Sequence, residues 1–161
     1  MNNHRPVDCM EQVIKRNADR LLRTAAAVTG NMAEAEDIVQ DAFVKYIEKA
    51  RSFESDAHET AWLIRVTVNL AKNRLRSHWW KTTVPLLDTH PARTNKQLHL
   101  MEAVLALPAK YRIAIHLFYY EGYATKEIAE ITAQGESTVR AQLTRARRLL
   151  KDHLELEGAC Q

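Results

Sequence analysis

Two stripes run along one segment, residues 136–151, and together they leave it few ways to fold. Val139, Leu143, Ala146 and Leu150 recur at steps of four, three and four, the spacing of one buried helix face. Arg140, Thr144, Arg147 and Lys151 recur at the same steps on another face, and Arg145 and Arg148 flank them. No acid interrupts that second stripe. Just upstream, residues 126–132 read as a short helix with Ile128, Ala129 and Ile131 apolar, and Ala133-Gln134-Gly135 reads as a turn. A basic helix anchored by its apolar side behind a shorter helix is how a helix-turn-helix enters a DNA major groove.

The rest of the chain is also helical in pattern. Residues 7–29 carry Val13, Leu21, Leu22, Ala25 and Val28 on one side, and Gly30 stops the helix. Asn31 caps a second helix over 32–51, whose inward side is Ile38, Val39, Ala42, Phe43, Tyr46 and Ile47. Residues 52–59 read as a loop. A third helix over 60–80 has Ala61, Ile64, Val68, Ala71 and Leu75 as its core stripe. Residues 81–95 contain Pro85 and Pro91 and hold no sustained period, which reads as a flexible linker with a small apolar patch at Val84-Pro85-Leu86-Leu87. From Lys96, the residues Leu98, Met101, Val104, Leu105 and Leu107 form a helix ending at Pro108. The next runs to about residue 121 with Ile113, Ile115, Leu117 and Phe118 inside, and Gly122 ends it. The fold expected is therefore all-α. A helical domain over 1–80 and a linker over 81–95 precede a helix-turn-helix domain over 96–161.

Composition closes off several function classes. Four glycines and four prolines in 161 residues, mostly at junctions, argue against a β-sandwich. The net charge of +3 is small, so nucleic-acid binding must rest on where the charge sits. Cys9 and Cys160 match no metal or redox spacing and read as reduced thiols of a cytoplasmic protein. No apolar run is long enough to insert in a membrane. Seven histidines (His4, His58, His78, His90, His99, His116, His153) are scattered, with no HExxH and no paired metal spacing. Neither a catalytic centre, a metal site nor a cofactor is expected, and His116 reads as a core histidine.

Two further faces carry chemistry. Trp62, Arg65, Asn69, Lys72 and Arg76 fall at steps of three, four, three and four on the third helix. Cations hold phosphates, an amide reads a base edge, and an indole stacks or wedges against a base. By spacing alone, a core Trp62 beside solvated neighbours fits equally. On the second helix Asp37, Gln40 and Asp41 share a face with Val44. Two acids at i and i+4 repel slightly, with Lys45 partly offsetting Asp41. The face is either solvated or a docking surface for a basic helix. A DNA-binding regulator would need the basic helix but has no use for these acids.

Taken together, these pieces resemble the extracytoplasmic-function sigma factors of bacterial RNA polymerase, group four of the sigma-70 family. Ala35-Glu36-Asp37-Ile38-Val39-Gln40-Asp41-Ala42-Phe43 resembles the region-two signature for the β′ clamp helices. Ala61-Trp62-Leu63-Ile64-Arg65 with Asn69-Leu70-Ala71 is similar to the −10 element segment. Leu107-Pro108, Glu121-Gly122, Glu127-Ile128-Ala129, Thr138-Val139-Arg140 and Arg145-Ala146-Arg147 resemble region four, which reads the −35 element. The resemblance implies that Asp37, Gln40, Asp41 and Val44 hold the polymerase clamp. It implies that Phe53 and the loop to Glu59, with Trp62, Arg65, Asn69, Lys72 and Arg76, meet the −10 strand. Thr138, Arg140, Thr144, Arg145, Arg147 and Arg148 would face the −35 groove. The implied partners are core polymerase, including the β flap, promoter DNA, and an anti-sigma protein.

Three departures from the family pattern carry expectations of their own. Ala124 stands where serine is common, so the reciprocal box with Glu127 is lost and Thr125 caps one residue later. Ala133 stands where the turn commonly has glycine. Alanine in the left-handed region costs about 1 kcal/mol, so the turn is expected to shift onto Gly135. The loop has Glu54-Ser55-Asp56 where a basic residue and glycine are common, which leaves its base preference open.

Overall fold

The computed structural model describes residues 7–49, 52–77 and 95–158, and every regular element among them is helical. The chain divides into two compact units, residues 1–84 and 85–161. The linker patch at 84–87, the end of the third helix as expected to residue 80, and Cys160 lie outside the described residues.

In the first unit, α1 (Val7–Thr29), α2 (Met32–Lys49) and α3 (Asp56–Ser77) pack against one another. Leu21, Ile38, Leu63, Ile64 and Val68 are wholly buried where they meet. Gly30 takes φ +69°, which frees α1 to stop. Asn31 then caps α2, its Oδ1 accepting the Glu34 N–H at 3.2 Å. The second helix differs from expectation on one side: Ile47 is 60% exposed rather than buried. α3 starts four residues earlier than the apolar pattern suggests. Ser55 Oγ accepts the His58 N–H at 3.1 Å, and Asp56 and Glu59 supply negative charge to the first turn.

A polar layer ties the start of α3 to the other helices. Asn17 is fully buried; its Nδ2 donates to the Val13 carbonyl at 2.9 Å, and its Oδ1 accepts the Thr60 hydroxyl at 2.7 Å. The Glu59 carboxylate, also buried, accepts from Arg16 Nη2 and from the Tyr46 hydroxyl, each at 2.7 Å. Arg16 reaches Asp56 as well, at 3.0 Å. Burying a carboxylate is costly unless it is paired and hydrogen-bonded, and here it is both.

The second unit contains α4 (Asn95–Leu105), α5 (Ala109–Ile115), α6 (Thr125–Thr132) and α7 (Glu136–Gly158). α4 thus begins on the residue assigned to the linker's end, and Leu98, expected in the core, is exposed. Arg112 spans the α4–α5 corner, donating from Nη1 to the Leu105 and Leu107 carbonyls at 3.1 and 2.8 Å. α5 passes into a π-helical turn, His116–Tyr120, closed by the Glu121 N–H on the His116 carbonyl at 3.0 Å. Gly122, at φ +75°, then turns the chain, and the Tyr123 N–H returns to the Leu117 carbonyl at 3.0 Å. His116 lies stacked on Tyr120 with Nε2 3.5 Å from the buried Glu121 carboxylate, so it is enclosed as expected.

Candidate nucleic-acid interface

The helix-turn-helix is built by α6, the turn at 133–135, and α7. Ile128 and Ile131 of α6 and Val139, Leu143 and Ala146 of α7 are buried, which leaves α7 anchored on the predicted apolar stripe. Leu150 is only half-buried. Ala133 itself takes the left-handed conformation, φ 54° and ψ 46°, and Gly135 does not. The turn therefore stays where the family pattern puts it. The Gln134 N–H reaches back to the Ala129 carbonyl at 2.9 Å, and that closure holds Ala133 in its strained region. Half of the capping box, expected to be lost altogether, survives. The Ala124 N–H donates to Glu127 Oε2 at 2.7 Å, although the alanine methyl can return nothing. Thr125 does not cap; its hydroxyl donates across to Glu136 Oε1 at 2.9 Å, joining the starts of α6 and α7.

Of the side chains expected on this face, Thr138, Arg140, Thr144, Arg145, Arg147 and Arg148 are all exposed. They are not equally free. Arg140 Nη2 binds the same Glu136 oxygen at 2.8 Å. The Thr144 hydroxyl donates to the Arg140 carbonyl at 3.0 Å. Arg147 lies over the rings of Phe118 and Tyr119, 5.7 and 5.5 Å from their centroids, and Nε donates to the Tyr119 hydroxyl at 2.6 Å. Arg147 is thus held against the π-helical turn. No periodicity argument finds that contact, because its partner is 28 residues away.

In the first unit the α3 face is assembled as the spacing requires. Arg65, Asn69 and Arg76 are exposed, and Lys72 is half-buried. Burial pulls the Lys72 pKa below its ordinary value, and the Arg76 charge lowers it further. Trp62 is neither fully buried nor fully exposed. Half-buried, it packs on Phe53 and Tyr46, with ring centroids 5.7 and 6.1 Å away. Phe53 in turn stacks on Tyr46 at 5.8 Å with planes 8° apart, and meets His58 edge-on at 5.5 Å. The aromatic group and the buried Glu59 pair brace the short loop before α3. Glu59, expected in the base-reading loop, instead lies in the core.

On α2, Asp37, Gln40, Asp41 and Val44 are exposed along one stripe. Ile47 extends it. The stripe has a neighbour missed in the sequence: Arg74 of α3, whose guanidinium nitrogens lie 3.8 Å from Asp37 and 3.6 Å from Asp41. Among the described residues, no group of three or more His, Cys, Asp or Glu is placed to hold a metal ion. None of the described helices is long and apolar enough to cross a membrane.

Comparison with known proteins gives a consistent picture. Residues 13–81 match the Sigma-70 region 2 family and residues 97–150 the Sigma-70 region 4 family. The chain is 30% identical over 142 residues to the ECF RNA polymerase sigma factor SigM of Mycobacterium tuberculosis, covering 85% of this chain and 72% of that one. It is 27% identical over 170 residues to the ECF sigma factor SigW of Bacillus subtilis, covering 91% and 89%. The fold superposes on the sigma factor RpoE of Bartonella quintana, solved with the anti-sigma factor NepR, with a TM-score of 0.76 and 25% identity over 92% of this chain and 98% of that one. With both regions in order and a relative matched over most of its length, the chain belongs to the sigma-70 family as an extracytoplasmic-function sigma factor, a promoter-specific factor for transcription initiation by RNA polymerase.

Proposed function

We propose that the two units divide this task among the residues described above. Asp37, Gln40, Asp41 and Val44 dock on the β′ clamp helices of core polymerase. The face of Trp62, Arg65, Asn69, Lys72 and Arg76 meets the −10 strand, with Phe53 bracing the adjoining loop. Thr138, Arg140, Thr144, Arg145 and Arg148 face the −35 groove, while Arg147 acts from its seat on Tyr119. Residues 1–80 and 96–161 are the working domains, 81–95 links them, and the second also meets the β flap. The protein acts in the cytoplasm as a regulatory factor, without catalysis or cofactor of its own. An anti-sigma protein covers these faces when the factor is idle, a reading supported by the partner of the Bartonella relative.

The observation that carries this reading is the pair of exposed faces on the first unit. α2 offers carboxylates, and α3 offers an amide and cations beside an aromatic group held by a buried polar layer. One flipped base recovers only a few kcal/mol from stacking and hydrogen bonds. Opening a promoter therefore needs docking and duplex grip to supply the rest. The test is core-polymerase titration with run-off transcription over a genomic promoter library. Wild type is expected to bind core and to confer start-site selection. Asp41→Lys, which turns an attraction into a repulsion, is expected to bind core at least about tenfold more weakly. Equal binding by the two proteins, or no start-site selection by wild type, would overturn the proposal.

A further inference from the structure

The carboxylates of α2 already have a cation beside them. Arg74 Nη1 and Nη2 lie 3.8 and 3.6 Å from Asp37 Oδ2 and Asp41 Oδ2. Helical geometry explains why it is this arginine. At about 100° per residue, position 74 points roughly opposite to position 72, so Arg74 turns toward α2 while Lys72 stays on the Asn69 face. The Arg74 side chain is 31% exposed, and those of Asp37 and Asp41 are 64% and 55% exposed. One planar fork thus spans two acids that would otherwise repel each other one helical turn apart. Both separations exceed hydrogen-bond length, so the attraction is coulombic and loose.

We propose that Arg74 is an affinity-determining residue for polymerase docking: an internal stand-in for the basic helix that binds Asp37 and Asp41. The proposal rests on the reading of those acids as the docking face. An arriving basic partner exchanges one cation for another and gains only the difference. Half-exposed ion pairs are weak and screened by salt, so Arg74 is a damper on docking rather than a lock, worth about two- to fivefold in affinity. Its charge also discriminates. A partner offering a single cation gains little over Arg74, whereas one offering several in register outcompetes it.

The test uses the full chain, titrated with core RNA polymerase at low and high salt. Arg74→Gln is expected to bind about two- to fivefold more tightly than wild type at low salt, with the gain shrinking as salt rises. Arg74→Lys is expected to fall between the two, since an ammonium engages one carboxylate at a time. In a background of Asp37→Asn and Asp41→Asn, which itself binds less tightly, Arg74→Gln is expected to change nothing. Thermal melts of each variant confirm that it folds, and Arg74→Lys carries the test should Arg74→Gln not. Wild-type or weaker binding by Arg74→Gln, with the asparagine variant still impaired, would overturn the role of Arg74 alone. Wild-type binding by the asparagine variant would overturn the docking reading and this proposal together.

Discussion

Lys72 shows how much a single position is shaped by its surroundings. It sits half-buried on α3, four residues before Arg76, and both burial and that neighbour disfavour its charged form. The folded chain therefore holds this proton less tightly than the unfolded one. Fold stability rises with pH between the lowered folded value and the ordinary lysine value, the unfavourable charge being relieved there. If Lys72 meets a DNA phosphate, as proposed, its contribution to affinity has the opposite sign, because a phosphate favours the ammonium. That contribution would be full below the lowered pKa and decline as pH rises through it. At constant ionic strength, promoter affinity of the polymerase complex is expected to fall more for wild type than for Lys72→Arg, which stays charged, as pH is raised from neutrality toward the ordinary lysine value. Parallel pH profiles would remove Lys72 from the DNA face.

At the scale of elements, the turn between α6 and α7 carries a cost that a single substitution relieves. Ala133 holds φ 54°, a region that disfavours any residue with a Cβ, and its side chain is exposed. Ala133→Gly is expected to stabilise the second unit by about 0.5–1 kcal/mol, read as a higher denaturant midpoint with an unchanged slope. Unchanged −35 affinity is expected beside it, since the turn keeps its path. The sequence made the helices themselves plain, because apolar spacing, Gly30, Asn31 and Gly122 act within a few residues of one another. It also showed which faces of α2, α3 and α7 point outward. It misled where a long-range partner decides the outcome. Glu59 looks like a loop acid until Arg16 and Tyr46 draw it inward. Ile47 continues an apolar count but stays exposed, and Arg74 reads as one more surface cation until α2 is laid beside α3. The π-helical turn that seats Arg147 has no periodic signature.

For the whole molecule, a net charge of +3 is too small to hold promoter DNA by sum alone, so the weight falls on local contacts such as those proposed in the two units. On the proposed assignment those contacts are of different kinds. Asn69 would offer an amide to a base edge, and Arg140 would offer a guanidinium that Glu136 already pairs with. Asn69→Ala in the polymerase complex is expected to relax discrimination among −10 sequences by about 1–3 kcal/mol per lost bidentate contact, leaving −35 preference intact. Arg140→Ala is expected to weaken all promoters with a −35 element and to reduce the salt slope by about one if it neutralises one phosphate. Competition transcription on promoters varied in one element at a time separates the two. If each unit reads its own element, as proposed, the losses in the double variant are expected to be near-additive, because neither contact would share a base or phosphate with the other. A loss well beyond the sum would mean that the two elements are read through one coupled surface, and the division of labour between the units would then fail.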